Sequence, residues 1–104
     1  MVNKYTLLRE CSGFDWDEHN MEKNWDCHKV FPGECEQIFF NQPLIIADDV
    51  GHSQSEQRFY ALGKTDNQRK LFIAFAAMGK LIRVISARGM TSKEKGRYKN
   101  HEKE

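Results

Sequence analysis

The chain of 104 residues has no CxxC pair, no glycine-rich phosphate loop and no long apolar run, and each absence narrows what it can be. Its three cysteines, Cys11, Cys27 and Cys35, are odd in number and widely spaced, which argues against a disulfide framework and for a reducing, cytoplasmic setting. Cys11, His19, Cys27, His28 and Cys35 match no zinc pattern of two close ligand pairs, so neither metal nor cofactor is expected. The longest apolar run, residues 71–78, is far shorter than the roughly 18 residues of a spanning helix, and residues 1–10 lack the basic-then-apolar order of an export signal. No membrane association is expected. Neither GxGxxG nor GxxxxGK occurs, which disfavours nucleotide-dependent chemistry, and there is no Gly-x-Ser-x-Gly elbow for a serine nucleophile.

What the chain does contain suits one small core. Hydrophobic residues make up 39%, with seven Phe, two Trp and three Tyr, enough for residues 1–104 to fold as a single domain, with 1–13 as an N-terminal extension or extra strand. The formal net charge of +1 hides a strong segregation: residues 1–57 carry −7, residues 58–79 carry +3 and residues 80–104 carry +5. A basic C-terminal half suits a polyanion or a partner of opposite sign; a solvated, charged final helix is the plainer reading.

Hydrophobic periodicity divides the chain into elements. Residues 5–8 read as a short strand. Asp15 with Glu18 reads as a helix start, and Met21, Trp25 and His28 follow at helical spacing as a narrow inward stripe ending near Cys27. Pro32 suits the first position of a second helix, in which Phe31, Cys35, Ile38 and Phe39 form a stronger stripe before Asn41-Gln42-Pro43 stops it. Alternation then predicts strands over 44–47, 58–63, 70–77 and 81–87, with a loop over 48–55 and a tight turn at Met78-Gly79-Lys80. Thr91 or Ser92 caps a surface helix to residue 104. The expected architecture is α+β: a small antiparallel sheet of three to five strands, two N-terminal helices packed on one face, a C-terminal helix, and the other face available.

The sharpest oddity is Arg83, which alternation places beside Leu81 and Ile85 in an apolar strand. Arg58 opens another strand and Arg88 closes the one carrying Arg83, so several guanidinium groups are expected at one edge of the sheet. They would either pair with carboxylates such as Glu56, or bind a phosphodiester through paired charge-assisted hydrogen bonds. RNA is the natural substrate for such a cluster. Its 2′-hydroxyl is a nucleophile already in place, so cleavage needs a proton acceptor, a proton donor and positive charge at the phosphate. Candidate proton movers are His28, His52, Glu56 and Tyr98.

Phe14-Asp15-Trp16-Asp17, Asn24 with His28 and Val30, Gln42-Pro43-Leu44, Glu56-Gln57-Arg58-Phe59 with Ala61-Leu62-Gly63, and Arg83-Val84-Ile85-Ser86-Ala87-Arg88 with Glu94, Arg97 and Tyr98 follow one another in order. This series resembles the BrnT family of toxins over residues 14–100. The resemblance implies a RelE-like fold and a ribonuclease of a bacterial type II toxin-antitoxin system. It further implies inhibition of translation, and masking by a ribbon-helix-helix antitoxin through which alone the complex contacts promoter DNA. It also implies a site in which Arg58 and Arg83 neutralise the scissile phosphate and His28 or Glu56 accepts the proton. Arg88 would position the RNA backbone, with Lys29, Arg97 and Tyr98 as further RNA contacts. Where the family has a Lys-His-Gly-Val run, this chain has Cys27-His28-Lys29-Val30, which removes a glycine and moves the basic residue past the histidine. The alternative to an enzyme is a non-catalytic module whose basic surface docks a partner.

Overall fold

The computed structural model describes residues 11–49 and 57–102. Five strands, β1 (Gly13–Asp15), β2 (Ile45–Asp48), β3 (Arg58–Lys64), β4 (Lys70–Met78) and β5 (Leu81–Gly89), form one sheet in the order β1-β5-β4-β3-β2. Three helices accompany it: α1 (Glu18–His28), α2 (Pro32–Ile38) and α3 (Ser92–Glu102). The sheet is mixed rather than antiparallel throughout, because β1 runs parallel to β5 while the other neighbours are antiparallel. Residues 5–8 and most of the expected 48–55 loop lie outside the described residues.

The elements follow from local chemistry. Asp17, not Asp15, caps α1, its carboxylate accepting from the backbone N–H groups of His19 and Asn20, and Asp15 instead ends β1. Pro32 opens α2, and the Glu34 side chain accepts from the N–H of Phe31 just before it. Thr91 caps α3 reciprocally: its Oγ1 accepts from the N–H of Glu94, whose carboxylate accepts from the N–H of Thr91.

Strand β4 is apolar on both sides because it is the middle strand. Leu71, Ile73 and Phe75 point to one face, where Val30, Cys35, Ile38, Phe59, Ile82, Val84 and Ala87 complete the main core beneath α1 and α2. Phe59, Phe75, Phe39 and Phe14 run through it as an aromatic series with centroids 5.5, 5.2 and 5.6 Å apart. Such contacts add about 0.5–1.5 kcal/mol each beyond their buried area. Helix α2 comes so close to β3 that a Cβ on Gly63 would meet the Ile38 Cβ at 2.8 Å. The weakly apolar α1 departs from the expected stripe: Trp25 and His28 are exposed and Asn24 turns inward, its Oδ1 accepting from the N–H of Ala87 on β5.

The opposite face is partly covered. Helix α3 lies over Ile45, Leu62 and Phe72 through Met90 and Tyr98, a second, smaller core. The rest of that face carries the charged groups.

Candidate functional site

Cross-strand register decides which side chains share a face, since directly paired residues point the same way. Arg58 pairs with Ala76 on β4, Ala76 pairs with Arg83 on β5, and Arg83 pairs with Asp15 on β1. One row across the sheet therefore reads Arg58, Ala76, Arg83, Asp15, on the face away from α1 and α2. The arginines stand two strand spacings apart, about 10 Å at the backbone, which phosphate-seeking side chains can span. They lie across the body of the face, not at the expected edge, since β3 and β5 are both interior strands.

The next row holds Ala47, Tyr60, Ala74 and Ser86, and the one after it Ile45, Leu62, Phe72 and Arg88. Arg88 reaches the same face as Arg83 because of a bulge. Arg88 stands five positions after Arg83, which in a regular strand would set them on opposite faces. Val84 pairs with Phe75 and Ser86 with Ala74, so Ile85 is left out of the ladder and the parity is reset.

Arg83 and Arg88 are paired with carboxylates. Arg83 donates through Nε and Nη2 to Asp15 Oδ2 at 3.2 and 2.9 Å, and both side chains remain more than a third exposed. Such a solvated pair contributes about 0–1 kcal/mol and can exchange one anion for another. Arg88 is held more firmly. Its Nη1 and Nη2 donate to the two oxygens of Glu94 at 2.8 and 3.0 Å, and its guanidinium lies over the Phe72 ring, 4.1 Å from the centroid. The hydrogen bond to Glu94 raises the Arg88 pKa above its ordinary value and lowers that of Glu94. Arg58 also has interactions within the chain. Arg97 joins the face from α3, donating from Nη1 to the Tyr60 hydroxyl at 3.0 Å.

Other expected site residues are elsewhere. His28 and Lys29 end α1 on the helical face, their carbonyls accepting from Arg69 beside the β3–β4 turn. That turn is at the far end of β4 from Ala76, about 20 Å along the strand. Neither residue can serve the row of Arg58 and Arg83. Lys29 instead sits over the exposed Trp25 ring, which stacks on Phe31 at 4.3 Å. Tyr98, expected at an RNA surface, is 0% exposed in the smaller core, and its hydroxyl donates to the Pro43 carbonyl at 2.6 Å. Burial, with a smaller contribution from Glu102, pushes its pKa up to about 12. Glu56 and His52 lie outside the described residues.

Tyr60 is the residue that motif reading passed over. Alternation from Arg58 alone would have placed it on the same face. A hollow of about 750 Å³ lies apart from the arginine row, lined by Phe14, Glu36, Phe39, Phe40 and Ile82. Among the described residues no three His, Cys, Asp or Glu side chains gather to hold an ion, and no helix is long and apolar enough to cross a membrane.

Comparison with curated proteins gives no match. Among solved structures, the chain is similar to the ribonuclease toxin BrnT of Brucella abortus, with 19% identity and a TM-score of 0.58 over 77% of this chain and 97% of that one, a likeness of fold. A family model described as the ribonuclease toxin, BrnT, of type II toxin-antitoxin systems matches residues 16–94. That match runs from the end of β1 into the first turn of α3 and takes in the whole arginine row but for Asp15, and by it the chain belongs to the BrnT toxin family.

Proposed function

We propose that the chain is a toxin that cleaves RNA on its arginine face without a metal ion, thereby inhibiting translation, and that a cognate antitoxin of ribbon-helix-helix type neutralises it and alone carries the DNA contact. The observation that supports this most is the row in which Arg58 and Arg83 flank Ala76 on one face of the sheet.

The chemistry follows from that row. A phosphodiester laid across it would receive guanidinium groups from both sides, and Arg83 would exchange its solvated contact with Asp15 for a phosphate oxygen. As the 2′-hydroxyl attacks, negative charge grows on the phosphoryl oxygens, and fixed cations there favour the transition state over the ground state. Glu56, two residues before Arg58, accepts the 2′ proton in this reading. Arg88 and Arg97 steady the flanking backbone, and the charge of Arg88 is shared with Glu94.

The test is cleavage of a purified RNA in the presence of EDTA, together with growth arrest on expression. Arg58→Ala and Arg83→Ala are each expected to lower the cleavage rate by about 100-fold or more, the usual cost of deleting one group that stabilises transition-state charge. Undiminished cleavage by both variants removes the assignment. The pairing of Arg83 with Asp15 and Arg88 with Glu94 favours the second reading, a docking module whose arginines shape its surface. A wild-type protein without cleavage or growth arrest would establish that reading instead.

A further inference from the structure

We propose that the Tyr60 hydroxyl is the proton donor of the arginine face, delivering its proton to the leaving 5′-oxygen of the RNA. This rests on the reading of the chain as RNA-cleaving and adds to it a catalytic residue.

Four observations lead there. Tyr60 follows Arg58 by two residues on β3, so the two side chains share a face, and its row adjoins that of Arg58 and Arg83. Its ring is held against Phe72, centroids 5.4 Å apart and planes at 21°, which fixes where the hydroxyl stands. The Arg97 guanidinium donates to that hydroxyl at 3.0 Å, so the phenolic hydrogen must point away from Arg97, toward another acceptor. The other expected proton movers among the described residues are accounted for: His28 is on the opposite face, and Tyr98 is buried with its own O–H donated to Pro43. Asp15 and Glu94 are each engaged by an arginine, Arg83 and Arg88.

The step balances without a cofactor. The 2′-oxygen forms its bond to phosphorus and its proton passes to a water molecule acting as the acceptor. The bond from phosphorus to the 5′-oxygen breaks with its electron pair on oxygen, and that oxygen takes the Tyr60 proton. The products are a 2′,3′-cyclic phosphate and a 5′-hydroxyl. The phenolate left behind is stabilised by the Arg97 charge at hydrogen-bond distance until water or the protonated acceptor restores it.

Tyr60→Phe is the informative variant, because it keeps the ring on Phe72 and removes the hydroxyl alone. Two RNA oligonucleotides of one sequence serve as probes, one ordinary and one with sulfur in place of the 5′-bridging oxygen, a leaving group that needs no proton. The variant is expected to cleave ordinary RNA about 100-fold more slowly than wild type, the usual contribution of general acid catalysis, and to recover to within a few-fold on the sulfur substrate. Recovery would not follow from a lost packing or binding role. Equal losses on both substrates, or full activity on ordinary RNA, overturn the proposal and leave the cleavage reading standing. A wild type inert on both oligonucleotides overturns the two together.

Discussion

Lys29 closes α1 with φ 54° and ψ 46°, the left-handed region in which a side chain costs about 1 kcal/mol relative to glycine. The run that this one resembles has glycine here, the residue that adopts this conformation at least cost. The cap survives because the Lys29 N–H donates to the Trp25 carbonyl at 2.9 Å, its carbonyl accepts from Arg69, and its ammonium lies over Trp25, 4.9 Å from the centroid. The last contact is exposed and contributes about 0.5–1 kcal/mol. Lys29→Gly is therefore expected to change stability by less than about 1 kcal/mol, with relief of the backbone set against loss of the cation–π contact. Urea unfolding measures it: a shift of the midpoint at unchanged slope, with a loss well above that bound showing that the ammonium does more than cover one ring. The missing glycine was legible in the sequence. That the position demands a positive φ was not, since nothing in Cys27-His28-Lys29-Val30 marks it. His28 and Asn24 show the same limit. Helical spacing put Met21, Trp25 and His28 inward, but a buried amide accepting from Ala87 turns the helix so that Asn24 faces the sheet.

At the scale of elements, α3 depends on its first turn more than on its apolar face, which amounts to Met90 before it and Tyr98 within it. Glu94 joins that turn to the sheet by accepting from Arg88 and from Thr91. Its pKa is lowered first by the Arg88 hydrogen bond, so its contribution is fully present above the ordinary carboxylate value of 4.5 and is lost as pH falls through the lower folded value. The difference in unfolding free energy between wild type and Glu94→Gln should therefore be constant near neutrality and shrink on acidification below about pH 4.5. A pH-independent difference would show that the ion pair is not what docks α3. Most elements were legible because their patterns are long: β4 and β5, expected over 70–77 and 81–87, are Lys70–Met78 and Leu81–Gly89. Two features were not. Strand β1 has three residues, too few for a period, and its parallel pairing with β5 is set by tertiary contact. The unpaired Ile85 carries no sequence mark either, yet it alone puts Arg88 on the face of Arg83. Alternation reports a face only as far as the next bulge.

Over the whole molecule, the charge segregation along the chain becomes a segregation in space. The acidic first half supplies α1 and α2 on one side of the sheet, while β3, β5 and α3 bring Arg58, Arg83, Arg88 and Arg97 to the other. A net charge of +1 gives little long-range attraction to a polyanion, so in the proposed reading RNA is drawn by the local field of that one face. Each phosphate neutralised there releases condensed cations, and for single-stranded RNA the logarithm of the binding constant falls by about 0.7 per phosphate for each tenfold rise in salt. If Arg58, Arg83 and Arg97 each engage one phosphate, the slope is about −2, and Arg58→Ala reduces its magnitude by about 0.7. Reversing a charge on the helical side, as in Glu22→Lys, should change affinity slightly and the slope hardly at all, because Glu22 lies on α1, beyond the sheet from the phosphates. Titration of a fluorescent RNA from about 50 to 200 mM salt separates the two cases. A slope that responds to Glu22→Lys and ignores Arg58→Ala would put the RNA on the helices, and the arginine row would have to be given another partner.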